Sequence, residues 1–150
     1  MPETIVVASD HAGFPLKEKV KAHLEQRGFA VEDIGAHSLD SVDYPMFGHR
    51  LAEVVASGRL RRGVAVCGTG IGISIAANRH CGVRAAVAWN ETTARLSREH
   101  NDANVLALGS RTLDHGEALR ILDVWLDTPF EGGRHARRVE QLDTGSTGPR

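Results

Sequence analysis

Short apolar runs alternate with segments of helical period along almost the whole chain. Ile5-Val6-Val7-Ala8 is a β-rich run that breaks at Ser9-Asp10-His11. Over residues 15–27, Leu16, Val20 and Leu24 stand four apart and form one helical stripe. Gly28 follows where a left-handed helix terminus is common. Residues 31–34 read as a second strand, and Glu32 and Asp33 mark it as an edge. Tyr44-Pro45 opens a helix reaching about residue 56, with Pro45 suited to its first turn. Strands follow at 64–67, 83–88 and 105–108, and helices at 72–78, from residue 90 or 91 to about 101, 117–126 and 134–142.

Five strands alternating with helices predict an α/β fold: a three-layer α/β/α sandwich around a five-stranded parallel, Rossmann-like sheet. Right-handed crossovers bring every strand's C-terminal end to one edge, where ligands bind near a topological switch point. One domain is expected over residues 1–143, and the small, polar tail 144–150 is expected to be disordered.

Composition narrows the function classes. Eighteen basic residues nearly cancel nineteen acidic ones, so nothing pulls the chain generally toward nucleic acid or anionic lipid. No apolar run approaches the roughly 20 residues a membrane span needs. The N-terminus lacks a basic segment followed by a long apolar stretch, and two cysteines make no disulfide framework or CxxC ligand pair. A cytoplasmic protein without leader, membrane contact or nucleic-acid partner is expected.

Chemically capable residues collect at the predicted strand ends: Asp10 and His11, then Cys67, Trp89-Asn90, and Gly109-Ser110-Arg111. The loop Gly68-Thr69-Gly70-Ile71-Gly72 is the strongest single feature. Alternate glycines let the backbone approach a ligand, and the next helix aims free N–H groups at it. Such a nest holds a phosphate or an enediolate oxygen, although a ligand-free turn has the same pattern. GxGxG after the third strand is not the dinucleotide GxGxxG, and no Walker Lys-Ser/Thr follows. A phosphatase Cys-x5-Arg loop would need Arg where Ile73 stands.

Local sequence leaves the other candidates open. Cys67 precedes a helix N-terminus, which favours negative charge on sulfur, yet buried inert cysteines are common. Cys81 has no such context and reads as structural. His100-Asn101-Asp102 ends a helix, where an imidazole also complements the dipole. Arg134 and Arg138 share one helix face and suit a phosphate dianion, as they would suit a solvated charge run. His23, His37, His49, His80 and His115 show no partner and are expected to be solvated.

Taken together, the chain resembles the ribose-5-phosphate isomerase B family, which also includes galactose-6-phosphate isomerase subunits. The resemblance rests on Ser9-Asp10-His11-Ala12-Gly13-Phe14, Asp43-Tyr44-Pro45, the run from Cys67-Gly68-Thr69 to Ala76-Ala77-Asn78, the run from Ser97-Arg98-Glu99-His100 to Asn104-Val105-Leu106, Gly109-Ser110-Arg111 and Glu131-Gly132-Gly133-Arg134-His135. These span the chain in order up to about Asp143.

The resemblance implies an aldose–ketose isomerase, most directly between ribose 5-phosphate and ribulose 5-phosphate, with no metal or other cofactor. Cys67 would be the base moving a proton between C1 and C2 through a cis-enediolate. Members without this cysteine use a Glu after the glycine loop, where this chain has Ile73. His100 would promote ring opening, and Asp10 and Thr69 would handle hydroxyl protons, with Tyr44 nearby. Backbone N–H groups of Gly68, Gly70, Ile71 and Gly72 would hold the enediolate. His11, Arg111, Arg134 and Arg138 would bind phosphate, and Asn101 the sugar. The resemblance further implies a homodimer, or a dimer of dimers, with the site between subunits. Four- or six-carbon sugar phosphates, or a non-catalytic phosphate- or nucleotide-binding module, are the competing readings.

Overall fold

The computed structural model describes residues 1–144. Its elements are β1 (Thr4–Ser9), α1 (Phe14–Gln26), β2 (Ala30–Asp33), α2 (Tyr44–Ala56), β3 (Arg62–Cys67), α3 (Ile71–Ala77), β4 (Ala85–Val87), α4 (Glu91–Glu99), β5 (Val105–Gly109), α5 (His115–Asp127) and α6 (Arg134–Thr144). The sheet is wholly parallel, in the order β2-β1-β3-β5-β4. Strand alternation divides the core into two layers. Ile5, Val7, Val64, Val66, Leu106 and Leu108 pack against α1, α4 and α5. Val6, Ala8, Ala65, Cys67, Val105 and Ala107 face α2 and α3. The expected three-layer sandwich is borne out.

The chain steps from β1 to β2 in one direction and from β2 past β1 to β3 in the other. This reversal opens a crevice beyond the C-terminal ends of β1 and β3. Asp10 and Cys67 stand on its two sides. The edge position expected of β2 is also observed. At the other edge β4 is shorter than the run 83–88. Asn104 Oδ1 accepts the Arg84 N–H at 2.8 Å, ending strand geometry there. Asn78 pairs both the N–H and C=O of Ala85, as a neighbouring strand would.

Helix ends follow local chemistry. Gly28 has φ +92°, as the left-handed terminus requires. Asp114 accepts N–H groups of Gly116 and Glu117, so α5 starts two residues earlier than its apolar stripe. Thr144 closes α6 rather than opening a tail, and residues 145–150 lie outside the described residues.

Several histidines are not solvated as expected. His23 donates to Asp123 at 2.7 Å, tying α1 to α5. His49 and His80 hydrogen-bond each other at 2.8 Å. Both pairings join residues distant in sequence, so no local pattern announces them. Lys17 is fully buried and donates to Asp33 Oδ1 at 2.7 Å and to the Ala36 carbonyl. Asp33 also accepts from Lys21 and from the Gly35 N–H. With the Ser9 backbone bonds to Gly35 and Ala36, this clamp holds the segment after β2 onto the end of β1.

Candidate active site

Three turns meet at the C-terminal edge of the sheet, each shaped by close contact. Asp10, 7 % exposed, accepts the Gly13 N–H at 2.9 Å and tightens the turn after β1. A Cβ on Gly13 would lie 2.4 Å from the Val66 carbonyl, so only glycine lets this turn lie on β3. Ser110 draws the turn after β5 inward. Its N–H donates to the Cys67 carbonyl at 2.9 Å, and its hydroxyl lies 2.8 Å from the Ala12 carbonyl.

Cys67 ends β3, 4 % exposed, and its Sγ accepts the Gly70 N–H at 3.2 Å. Gly70 has φ +78°, which a side chain would strain. A Cβ on Gly72 would fall 2.5 Å from the Tyr44 ring. Thus the spaced glycines let the loop bend at Gly70 and the phenol come close against its far end. Thr69 Oγ1 accepts the Ile71 N–H at 3.2 Å. The first turn of α3 opens onto the same space.

The resulting cleft encloses about 470 Å³ between Asp10, Tyr44, Cys67, Thr69, Arg111 and the face of α3 carrying Ile71 and Ile75. Gly68 and Gly72 complete its wall, with Gly70 buried beneath. Arg111 donates its N–H to the Gly68 carbonyl at 2.8 Å, and its guanidinium pairs with no carboxylate among the described residues. His11 adjoins Asp10. Its Nδ1 accepts the Val42 N–H at 3.1 Å, so the neutral ring carries its proton on Nε2, available to donate.

His100, Asn101, Arg134 and Arg138 are not in this cleft. Helix α4 starts at the C-terminal edge and returns to the N-terminal edge, where β5 begins. Asn101 lines a second cavity there, with Arg84, Ala85 and Ala103. Glu131 N–H donates to the Glu99 carbonyl at 3.1 Å, bringing the start of α6 to the same edge. Arg134 and Arg138 are exposed, without ion pairs among the described residues. The two groups lie at opposite edges of the sheet, and a typical strand is roughly 17–20 Å long.

Sequence reading assigned no role in the site to four contributors. Ser110 and Ile75 belong to the first edge. Glu131 and the buried His135 stand beside His100, and the i,i+4 spacing of Glu131 and His135 was the available signal. Among the described residues, His100, Glu131 and His135 have ligand atoms within 4.8 Å of one another. Yet the two imidazole planes are 15° from parallel with centroids 4.3 Å apart. Their in-plane lone pairs do not converge on one tetrahedral ion.

Residues 5–142 match the family model described as Ribose/Galactose Isomerase. The chain belongs to this family. Ribose-5-phosphate isomerase B of Escherichia coli (strain K12) is 48 % identical over 138 residues, covering 92 % of this chain and 93 % of that protein. The structure of ribose-5-phosphate isomerase B from Clostridium thermocellum superposes with a TM-score of 0.92 at 53 % identity, over 93 % of this chain and 95 % of that one. The Mycoplasma genitalium ribose-5-phosphate isomerase B, crystallised with bound ribulose-5-phosphate, gives 0.94 at 40 % identity over 99 % of each chain. The resemblance read from the motifs is therefore borne out at the level of family and fold.

Proposed function

We propose that this member of the ribose/galactose isomerase family interconverts ribose 5-phosphate and ribulose 5-phosphate, at a site that two copies of the chain complete together. The observation that carries the chemistry is the Cys67 sulfur, enclosed in a cleft with Asp10, Thr69 and the glycine loop. Cys67 takes the C2 proton of the open-chain aldose and returns it to C1. Asp10 and Thr69 pass a hydroxyl proton between O2 and O1, so the step is balanced without an external reductant. Backbone N–H groups of the loop meet the enediolate oxygen, where preorganised donors lower the barrier most. His11 and Arg111 offer donors to the phosphate, which holds C1 and C2 in register.

The location of the remaining residues supports the shared site. His100, Asn101, Arg134 and Arg138 lie at the opposite edge of the sheet on their own chain, so a second copy brings them to Cys67. The apolar rim of the cleft supports the same reading: Ile71 and Ile75 are 55 % and 51 % exposed on one face of α3 and line the cleft with Tyr44. Contiguous apolar surface of this kind marks a contact.

The test is turnover of ribose 5-phosphate by purified protein in excess chelator, beside four- and six-carbon sugar phosphates. Turnover of ribose 5-phosphate in preference to the rest is expected. Preference for another sugar moves the substrate and keeps the chemistry. Binding of the whole panel without turnover would sink the isomerase reading.

A further inference from the structure

His135 lies against His100 face to face, with ring centroids 4.3 Å apart and planes 15° from parallel. His135 is 6 % exposed, whereas His100 is only partly covered. Nε2 of His135 lies 3.3 Å from Glu131 Oε1. Glu131 is itself tied by its N–H to the Glu99 carbonyl, one residue before His100. The buried ring is thus anchored to the end of the same helix that presents the partly exposed one.

His100 follows the last residue of α4, and no ring-nitrogen hydrogen bond orients it among the described residues. The stack is the directional contact on its imidazole. A ring free to turn about two side-chain torsions spends little time with a nitrogen aimed at a substrate oxygen, and such misplacement lowers rates steeply.

We propose that His135, held by Glu131, is a positioning residue for His100, fixing the plane in which that imidazole meets the closed sugar ring. This rests on the reading of His100 as the group that opens the furanose. It adds that ring opening, and not proton transfer at carbon, depends on His135.

Two substrates separate the steps. Ribose 5-phosphate reaches the enzyme mainly as a furanose, whereas 4-deoxyribose 5-phosphate lacks the hydroxyl that closes the ring and stays open. Wild type, His100→Ala, His135→Ala and His135→Phe are assayed on both, with oligomeric size and circular dichroism checked for each. His135→Ala is expected to lower kcat on ribose 5-phosphate about tenfold or more, and to change turnover of the open analogue by less than about twofold. His135→Phe restores the flat face and is expected to recover most of the loss. If His135→Ala misfolds, His135→Leu, which fills the space without a flat ring face, takes its place: a selective loss on ribose 5-phosphate that His135→Phe does not share supports the stack, and near-wild-type rates in both variants overturn it. Equal loss on both substrates in either folded variant, or no loss in a folded His135→Ala, also overturns the proposal. So does a His100→Ala variant impaired equally on both. A wild type inactive on both would instead overturn the isomerase reading.

Discussion

Gly70 donates its backbone N–H to the Cys67 sulfur at 3.2 Å, and this bond spans the turn between β3 and α3. In the proposed mechanism, replacing Cys67 by Ser keeps an acceptor for that N–H while taking away the thiol, a group type whose anion is far more accessible at neutral pH than an alkoxide. Activity is expected to fall about 10²–10⁴-fold, the range for losing a positioned general base, with the melting temperature nearly unchanged. Steady-state rates and a thermal melt on one preparation check this. Wild-type turnover in Cys67→Ser would remove the thiol from the mechanism.

The two separated groups of site residues make a sharper prediction. Cys67→Ala and His100→Ala are each expected to be inactive on ribose 5-phosphate. Mixed, partly unfolded and refolded together, they form hybrids in which one of two sites has both groups intact. With random pairing, about a quarter of wild-type activity returns. A mixture that stays dead while hybrids are seen by mass would show that each chain works alone.

Ile75→Lys tests the apolar rim. Its side chain is exposed on the single chain, so folding is expected to survive while the dimer dissociates and activity drops with it. Light scattering against concentration reads the association directly. An active monomer would contradict the shared site.

Gly72→Ala puts a methyl 2.5 Å from the Tyr44 ring, which is exposed enough to swing away. The stability cost is expected to be near 1 kcal/mol, the low end for overpacking. Loss of kcat/KM should exceed what that destabilisation explains, because Tyr44 leaves the cleft wall. Equal activity with a lower melting temperature would show that the phenol has no role there.

Asp33 governs an acid limb of stability. Burial opposes its charge, but hydrogen bonds from Lys17, Lys21 and the Gly35 N–H outweigh burial and hold the carboxyl below the ordinary 3.8. The unfolded chain therefore binds this proton more readily than the native protein. The contribution is complete above the ordinary value and disappears as pH falls through the lower folded one. Urea midpoints should show a fall in acid that is shallower in Asp33→Asn. At neutral pH that variant should lose about 3–5 kcal/mol, because the fully buried Lys17 is left without its carboxylate partner. Parallel acid limbs in the two proteins would place the titration elsewhere.

What the sequence determined by itself is local or periodic. Apolar runs named the five strands, Glu32 and Asp33 marked β2 as an edge, and Gly28 ended α1. Most of the cleft was legible for the same reason: Asp10, Cys67, the glycine loop and Arg111 each follow a strand directly, and parallel strands bring such positions to one edge. Tertiary structure alone decided where β5 goes, because apolar runs do not encode which neighbour they pair with. Helix α4 returns His100 to the opposite edge as any helix joining parallel strands must, but only the fold, by inserting β5 beside β3, sets the Ser110 turn against the Cys67 carbonyl. It likewise buried Lys17 against Asp33, joined His23 to Asp123, and laid His135 on His100. Those contacts depend on where whole helices end in space, a consequence of collective packing that no window of sequence contains.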